Sequence, residues 1–208
     1  MKTFDTNNDY SENYKLLIGA IVPRPIAVVS TLNEDGTSNL APFSFFTAVS
    51  ANPMIIAFCP IRKPADGSKK DTLLNIERNK EFVVNFVTEE IASQINECAT
   101  ELPFGESEFT YAGLTPIDSE KVQAKRLKES PVHYECILRD IISYGDDPGC
   151  GTLITGEVLK VHVDENIIHD SKIDTDKLNI VGRGAGIDWV RTKDRFQLQR
   201  KTKSQIHK

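Results

Sequence analysis

Pro23-Arg24-Pro25-Ile26-Ala27-Val28-Val29-Ser30-Thr31, a polar turn at Asn33-Glu34-Asp35-Gly36, and then Asn39-Leu40-Ala41-Pro42-Phe43-Ser44-Phe45-Phe46 decide the fold class of this chain. Ile26 to Thr31 reads as a strand, and the two prolines before it stop any preceding helix. Asp35-Gly36 is a dipeptide that accepts the positive φ angles of a tight hairpin, so the segment after it folds back antiparallel. A hairpin therefore opens the sheet.

Working outward, Tyr14, Leu17 and Ile18 fall at helical spacing within residues 11 to 20, which predicts a short helix ahead of Pro23. Met54 to Cys59 is an apolar run bounded by Pro53 and Pro60, the pattern of a strand buried on both faces. Asp71 to Arg78 is helical, with Asp71 or Thr72 available as N-cap and Leu73 and Ile76 facing inward. Phe82 to Val87 is another strand, and Ile91, Ile95 and Cys98 share one helical face between Thr88 and Ala99. Asp118 to Glu129 reads as a charged surface excursion. Pro131 to Ile142 alternates, with Val132, Tyr134, Cys136 and Leu138 on one side and His133, Glu135 and Arg139 on the other, so one face is expected to meet solvent or a partner. A turn at Asp146 to Gly151 leads into a long strand, Thr152 to Val163, with Gly156 as a bulge. Strands thus recur with short turns, and two helical patterns are too few for a βαβ series. The expected class is mainly β: an antiparallel barrel, closed or partly closed, with flanking α-helices.

The chain has 208 residues, enough for one domain that buries about 70% of its unfolded surface. One domain over 1–208 is expected, with its core at about 15–200 and a basic tail at 200–208 that reads as a frayed, solvated end. No apolar run approaches the roughly 18 residues of a membrane span, and the polar N-terminus lacks the apolar centre of a signal peptide. A net charge of −5 argues against a nucleic-acid partner, which calls for a basic face. Cys59, Cys98, Cys136 and Cys150 include no C-x-x-C pair, so reduced thiols and a cytoplasmic location are expected.

The same segments contain what a flat ring with a phosphate tail requires, and flavin mononucleotide (FMN) is such a molecule. Ser30 and Thr31 end the first strand with two hydroxyls. Asn39 to Ser44 offers backbone amides on a loop stiffened by Pro42, and Phe43, Phe45 and Phe46 supply aromatic surface. Lys69-Lys70-Asp71-Thr72 begins a helix, so free N–H groups, a hydroxyl and two ammonium groups can converge on a phosphate. An ordinary cap with solvated lysines is the plainer account of that segment. Arg24, between two prolines, has a fixed direction and suits either an anionic ring edge or a surface ion pair.

The ordered set P-R-P-I-A-V-V-S-T, D-G-x-x-N-L-A-P-F-S-F-F, K-D-T at 70 to 72 and V-V-N-F at 83 to 86 resembles the flavin reductase-like, FMN-binding split-barrel family. The resemblance continues through Ser107-Glu108-Phe109, Ala112-Gly113-Leu114 and Val181-Gly182-Arg183 to Asp194-Arg195-Phe196. It implies a six-stranded split barrel, a homodimer, and FMN reduced by NADH or NADPH. By that similarity Ser30, Thr31, Asn39, Ala41, Pro42 and Ser44 line the flavin, with Lys70, Asp71 and Thr72 at the phosphate or ribityl chain and Arg24 and Phe46 nearby. The chain departs from the pattern at Lys69, which leaves open which lysine meets the phosphate, and at Trp189, where a tyrosine is expected. The electron acceptor is either a small molecule or a redox partner protein. A non-enzymatic electron carrier would use the same residues.

Gly182-Arg183-Gly184-Ala185-Gly186 lacks the spacing and the downstream βαβ unit of a dinucleotide loop and reads as a tight turn. The four histidines have no metal-ligand spacing, and no serine sits in a G-x-S-x-G elbow, so neither a metal site nor a hydrolase triad is expected.

Overall fold

The structure, a computed structural model, describes residues 1–6, 9–102 and 106–202. The basic tail beyond residue 202, with His207, lies outside the described residues. Helix α1 (Tyr10–Ala20) starts at Asp9, whose carboxylate accepts from the Ser11 N–H. Four strands follow in short succession: β1 (Ala27–Leu32), β2 (Ser38–Phe43), β3 (Phe46–Ala51) and β4 (Met54–Phe58). After α2 (Asp71–Asn79) come β5 (Glu81–Phe86), α3 (Ala92–Glu97), α4 (Glu108–Tyr111), a small hairpin of β6 (Pro116–Ile117) and β7 (Arg126–Leu127), and the long strands β8 (Val132–Ser143) and β9 (Thr152–Val163).

The main sheet has seven strands in the order β2-β1-β5-β8-β9-β4-β3, one more than expected, every neighbouring pair antiparallel. The additional strand is β3, whose exposed middle carries no apolar alternation for a sequence pattern to register. β2 and β3 sit at opposite edges of this sheet, yet only Ser44 and Phe45 join them. A two-residue link cannot span an open seven-stranded sheet, since neighbouring strands lie about 4.8 Å apart. The sheet is therefore rolled until its edges meet at that end, and no ladder joins them further along. This is a split barrel.

Its interior is built on Val29, Phe43, Phe58, Phe82, Val84, Cys136 and Ile154, with Phe58 between Phe43 and Phe82 at centroid distances of 5.3 and 5.4 Å. On the outer side of β1 and β2, Val28 and Leu40 are covered by Ile91, Ile95 and Phe109. β1 is consequently buried on both faces, which is why its sequence runs apolar without alternation. Gly156 is not itself a bulge. It stays in register with Leu138 and Ile56, and the two irregularities lie beside it, at Glu135/Cys136 and Leu138/Asp140. Glycine is needed there because an added Cβ would run into the Phe82 ring, 3.0 Å from Cε1.

The 118–129 segment is not a free excursion. It carries β7, buries Val122, Ala124 and Leu127, and lies over the polar face of β1, β5 and β8. Its backbone needs partners, and that face supplies them. Ser30 Oγ donates to the Lys125 carbonyl, Asn85 Oδ1 accepts from Leu127 N, and the Glu135 carboxylate accepts from the N–H groups of Glu120 and Lys121. The His133 and Glu135 side of β8 is thus buried by the chain's own hairpin rather than open to solvent. Among the described residues no helix is long and apolar enough to cross a membrane.

Candidate functional site

The start of α2 is the focus of the site. Lys70 is the N-cap in extended conformation, without a side-chain capping bond, so Asp71 and Thr72 are the first helical residues rather than caps. The N–H groups of Leu73 and Leu74 turn back to the Lys70 carbonyl, whereas those of Asp71 and Thr72 have no backbone acceptor among the described residues. Two free N–H groups and the positive end of the helix dipole therefore meet at this point.

A buried polar network fixes this helix end against the β1–β2 hairpin. Asn39 Oδ1 accepts from Thr31 Oγ1 at 3.1 Å and from Thr72 Oγ1 at 2.9 Å. Asn75 Nδ2 donates to Thr31 Oγ1 at 3.0 Å, and Asn39 Nδ2 donates to Glu108 Oε1 at 3.1 Å. Thr31, Asn39, Thr72, Asn75 and Glu108 are all buried. A network this enclosed is stable only when fully satisfied, which locks each side chain in one orientation. Burial raises the Glu108 pKa above the usual carboxylate range, partly offset by the Leu40 N–H it accepts at 2.9 Å.

In front of this network lies a polar slot of about 120 Å³. Asn39, Ala41 and Pro42 of β2 form one wall, Lys63, Lys70, Asp71 and Thr72 the floor, and the segment Cys98–Leu102 with Glu108 the other wall. Burial and the neighbouring Glu108 carboxylate push the Cys98 thiol up to about 12, so it is neutral at physiological pH. On the other side of Lys70 opens a larger cleft of about 570 Å³ lined by Tyr10, Tyr14, Leu17, Phe45, Ile61 and Pro64. Its wall is mostly apolar, and the exposed aromatic side chains of α1 belong to it. Gly149 permits this packing, because a Cβ there would meet the Tyr10 ring at 2.9 Å and less.

The two lysines separate clearly. Lys69 Nζ is paired with both carboxylate oxygens of Glu77, at 2.6 and 2.8 Å. Lys70 borders both the slot and the cleft, and its ammonium has no hydrogen-bond or ion-pair partner among the described residues.

Of the residues singled out in the sequence, Asn39, Ala41, Pro42, Lys70, Asp71 and Thr72 come together on the slot, with Thr31 one hydrogen bond behind it. The others have different positions. Ser30 faces the 118–129 segment. Phe46 packs edge-on against Phe86 at 6.1 Å. Arg24 is buried and donates to the carbonyls of Ile18, Ile21 and Gly184 at 2.8–2.9 Å and to Ser44 Oγ at 3.2 Å. It clamps α1 and the Gly182–Gly186 turn onto the barrel, so its guanidinium is committed to backbone. Lys63, Asn75 and Glu108 join the site without having been singled out. Asn75 had a signal, an asparagine one turn after Thr72 in a helix interior where the type is disfavoured. Glu108, quoted only as part of a motif, had none for its burial.

A sequence model of the flavin reductase like domain matches residues 19–175. The chain belongs to this family. An uncharacterized protein of Halalkalibacterium halodurans is 41% identical over 93% of either chain. Among solved structures, nitrilotriacetate monooxygenase component B from Bacillus cereus is 37% identical, with a TM-score of 0.90 over 95% of this chain and 98% of that one. The 2-nitrobenzoate 2-nitroreductase of Pseudomonas fluorescens is 29% identical, with a TM-score of 0.87 over 97% of each. In this flavin reductase-like protein Lys70, without a partner among the described residues, and the start of α2 stand at the junction of a polar slot and an apolar cleft.

Proposed function

We propose that the slot and cleft together hold FMN, and that the protein, as a homodimer, passes reducing equivalents from NADH or NADPH to a small-molecule acceptor or a redox partner. The observation that carries this reading is Lys70, a cation without an ion-pair or hydrogen-bond partner among the described residues, at the junction between a polar slot at the start of α2 and a cleft with aromatic walls. A molecule matching both parts has an anionic polar tail and a flat apolar body. Lys70, Lys63 and the N–H groups of Asp71 and Thr72 would hold the phosphate. Asn39 and the backbone of Ala41 and Pro42 flank the polar chain, while Tyr14 and Phe45, 6.4 Å apart, offer the apolar faces. Bound flavin would supply the hydride and electron transfer itself, so this reading asks for no acid–base pair from the slot. The protein's tasks are then to bind, orient and exclude water.

An enzyme, unlike a simple carrier, needs space for a second ring beside the flavin, and the cleft of about 570 Å³ is where that ring would sit. Titration of the purified protein with FMN and with riboflavin, followed by flavin fluorescence, tests the assignment. FMN is expected to bind more tightly by at least tenfold, and equal affinity would remove the phosphate site.

A further inference from the structure

β2 is a free edge of the split barrel, so alternate N–H and C=O groups along it lack a strand to pair with. Ser107 and Glu108 meet that edge in place of a strand. Ser107 Oγ donates to the Ser38 carbonyl at 2.5 Å, and Glu108 Oε2 accepts from Leu40 N at 2.9 Å. The other carboxylate oxygen, Oε1, accepts from Asn39 Nδ2 at 3.1 Å. Both Glu108 side-chain oxygens are thus occupied as acceptors. With Glu108 on one side, the Asn39 amide has a single satisfied orientation: Nδ2 toward Glu108 and Oδ1 toward the hydroxyls of Thr31 and Thr72. Thr72 lies in the first turn of α2, two residues after Lys70.

We propose that Glu108 is a positioning residue for the phosphate slot, acting through Asn39 to set the start of α2; this rests on the FMN reading above. Glu108 as a whole residue is 8% exposed, which makes replacement of its acceptor pair consequential. Glu108→Gln keeps the size and introduces one donor. If the carbonyl oxygen of the substituted side chain accepts from Leu40, its NH₂ group opposes Asn39 Nδ2, and Asn39 must turn over. Its Nδ2 would then face Thr31, which already receives Asn75, and Thr72 would lose its acceptor at the slot.

The test is the ratio of FMN to riboflavin affinity, because riboflavin has the ring and ribityl chain without the phosphate. In E108Q the FMN affinity is expected to fall about tenfold, the worth of roughly one hydrogen bond, and riboflavin affinity by much less, so that the ratio drops. A merely structural role would weaken both flavins together or neither, and either result overturns the proposal. Should E108Q not fold, Glu108→Asp retains two acceptor oxygens but is too short to reach both donors, and the ratio is expected to fall by about threefold or more, consistent with partial loss of one hydrogen bond. An unchanged ratio in that variant also overturns the proposal. If wild-type protein itself binds FMN no better than riboflavin, the FMN reading falls and the proposal with it. If wild type prefers FMN and the variant keeps the full preference, only the role of Glu108 is lost.

Discussion

Lys69 and Lys70 are adjacent and chemically identical, and the structure assigns them opposite consequences. Lys69 is already neutralised by Glu77, with both side chains about one-third exposed. Such a pair is worth at most about 1 kcal/mol to stability and offers little net charge to a ligand. Lys70 has no ion-pair partner among the described residues and lines the slot, whose wall also carries Asp71, Glu101 and Glu108. Two unit charges ~4 Å apart interact by about 4 kcal/mol at an effective dielectric of about 20. Sharing of the phosphate with Lys63, solvent access and salt reduce this to roughly 1.5–2.5 kcal/mol, or about ten- to seventyfold in dissociation constant. Lys70→Ala should therefore weaken FMN by that factor and riboflavin by much less, while Lys69→Ala should change FMN binding by less than about threefold. Isothermal titration calorimetry at low and high salt reads both, and the Lys70 contribution should shrink as salt rises. Equal losses in the two variants, or a matching loss for riboflavin, would refute the reasoning.

Further outcomes follow from the core and the buried polar face. Gly156→Ala places a methyl group against Phe82 in a filled barrel and should destabilise by about 1–3 kcal/mol in urea unfolding, with no change in flavin preference. His133 Nε2 must carry the proton it gives to the Leu127 carbonyl at 2.7 Å, and burial lowers the ring's pKa to about 4 from 6.5. A folded pKa below the unfolded one means that the unfolded chain binds the extra proton, so stability is lost as pH falls from 6.5 to about 4, by up to roughly 3 kcal/mol. Denaturation midpoints across that window should slope in wild type and flatten in His133→Gln; the same slope in both would remove His133 as the cause. Glu135 next to it has a lowered pKa, so its own contribution persists until pH falls below 4.5 and lies outside most of this window.

The fold was legible where local chemistry and tertiary packing agree. Asp35-Gly36, the prolines around β1 and β4, and the alternation of β8 each name one structure, and the barrel uses all of them. β3 escaped because an exposed edge strand needs no apolar period. The 118–129 segment misled because its charges are exposed while its backbone, which no side-chain pattern records, is what buries Ser30, Asn85 and Glu135. In the site, the residues on β2 and at the start of α2 could be read because strand end and helix start are local features. The roles of Arg24 and Glu108 depend on partners 160 and 69 residues away in sequence, and neither spacing nor composition carries that information.

The central claim is that a bound flavin at the Lys70 junction is reduced by a pyridine nucleotide. An anaerobic visible spectrum of the protein with stoichiometric FMN, recorded before and after NADH and then NADPH, tests it most directly. Rapid bleaching of the flavin band by one or both donors, with less flavin bound by the Lys70→Ala variant at the same FMN concentration, is the predicted result. Flavin that binds but stays oxidised with either nucleotide would contradict the reductase and leave an electron carrier.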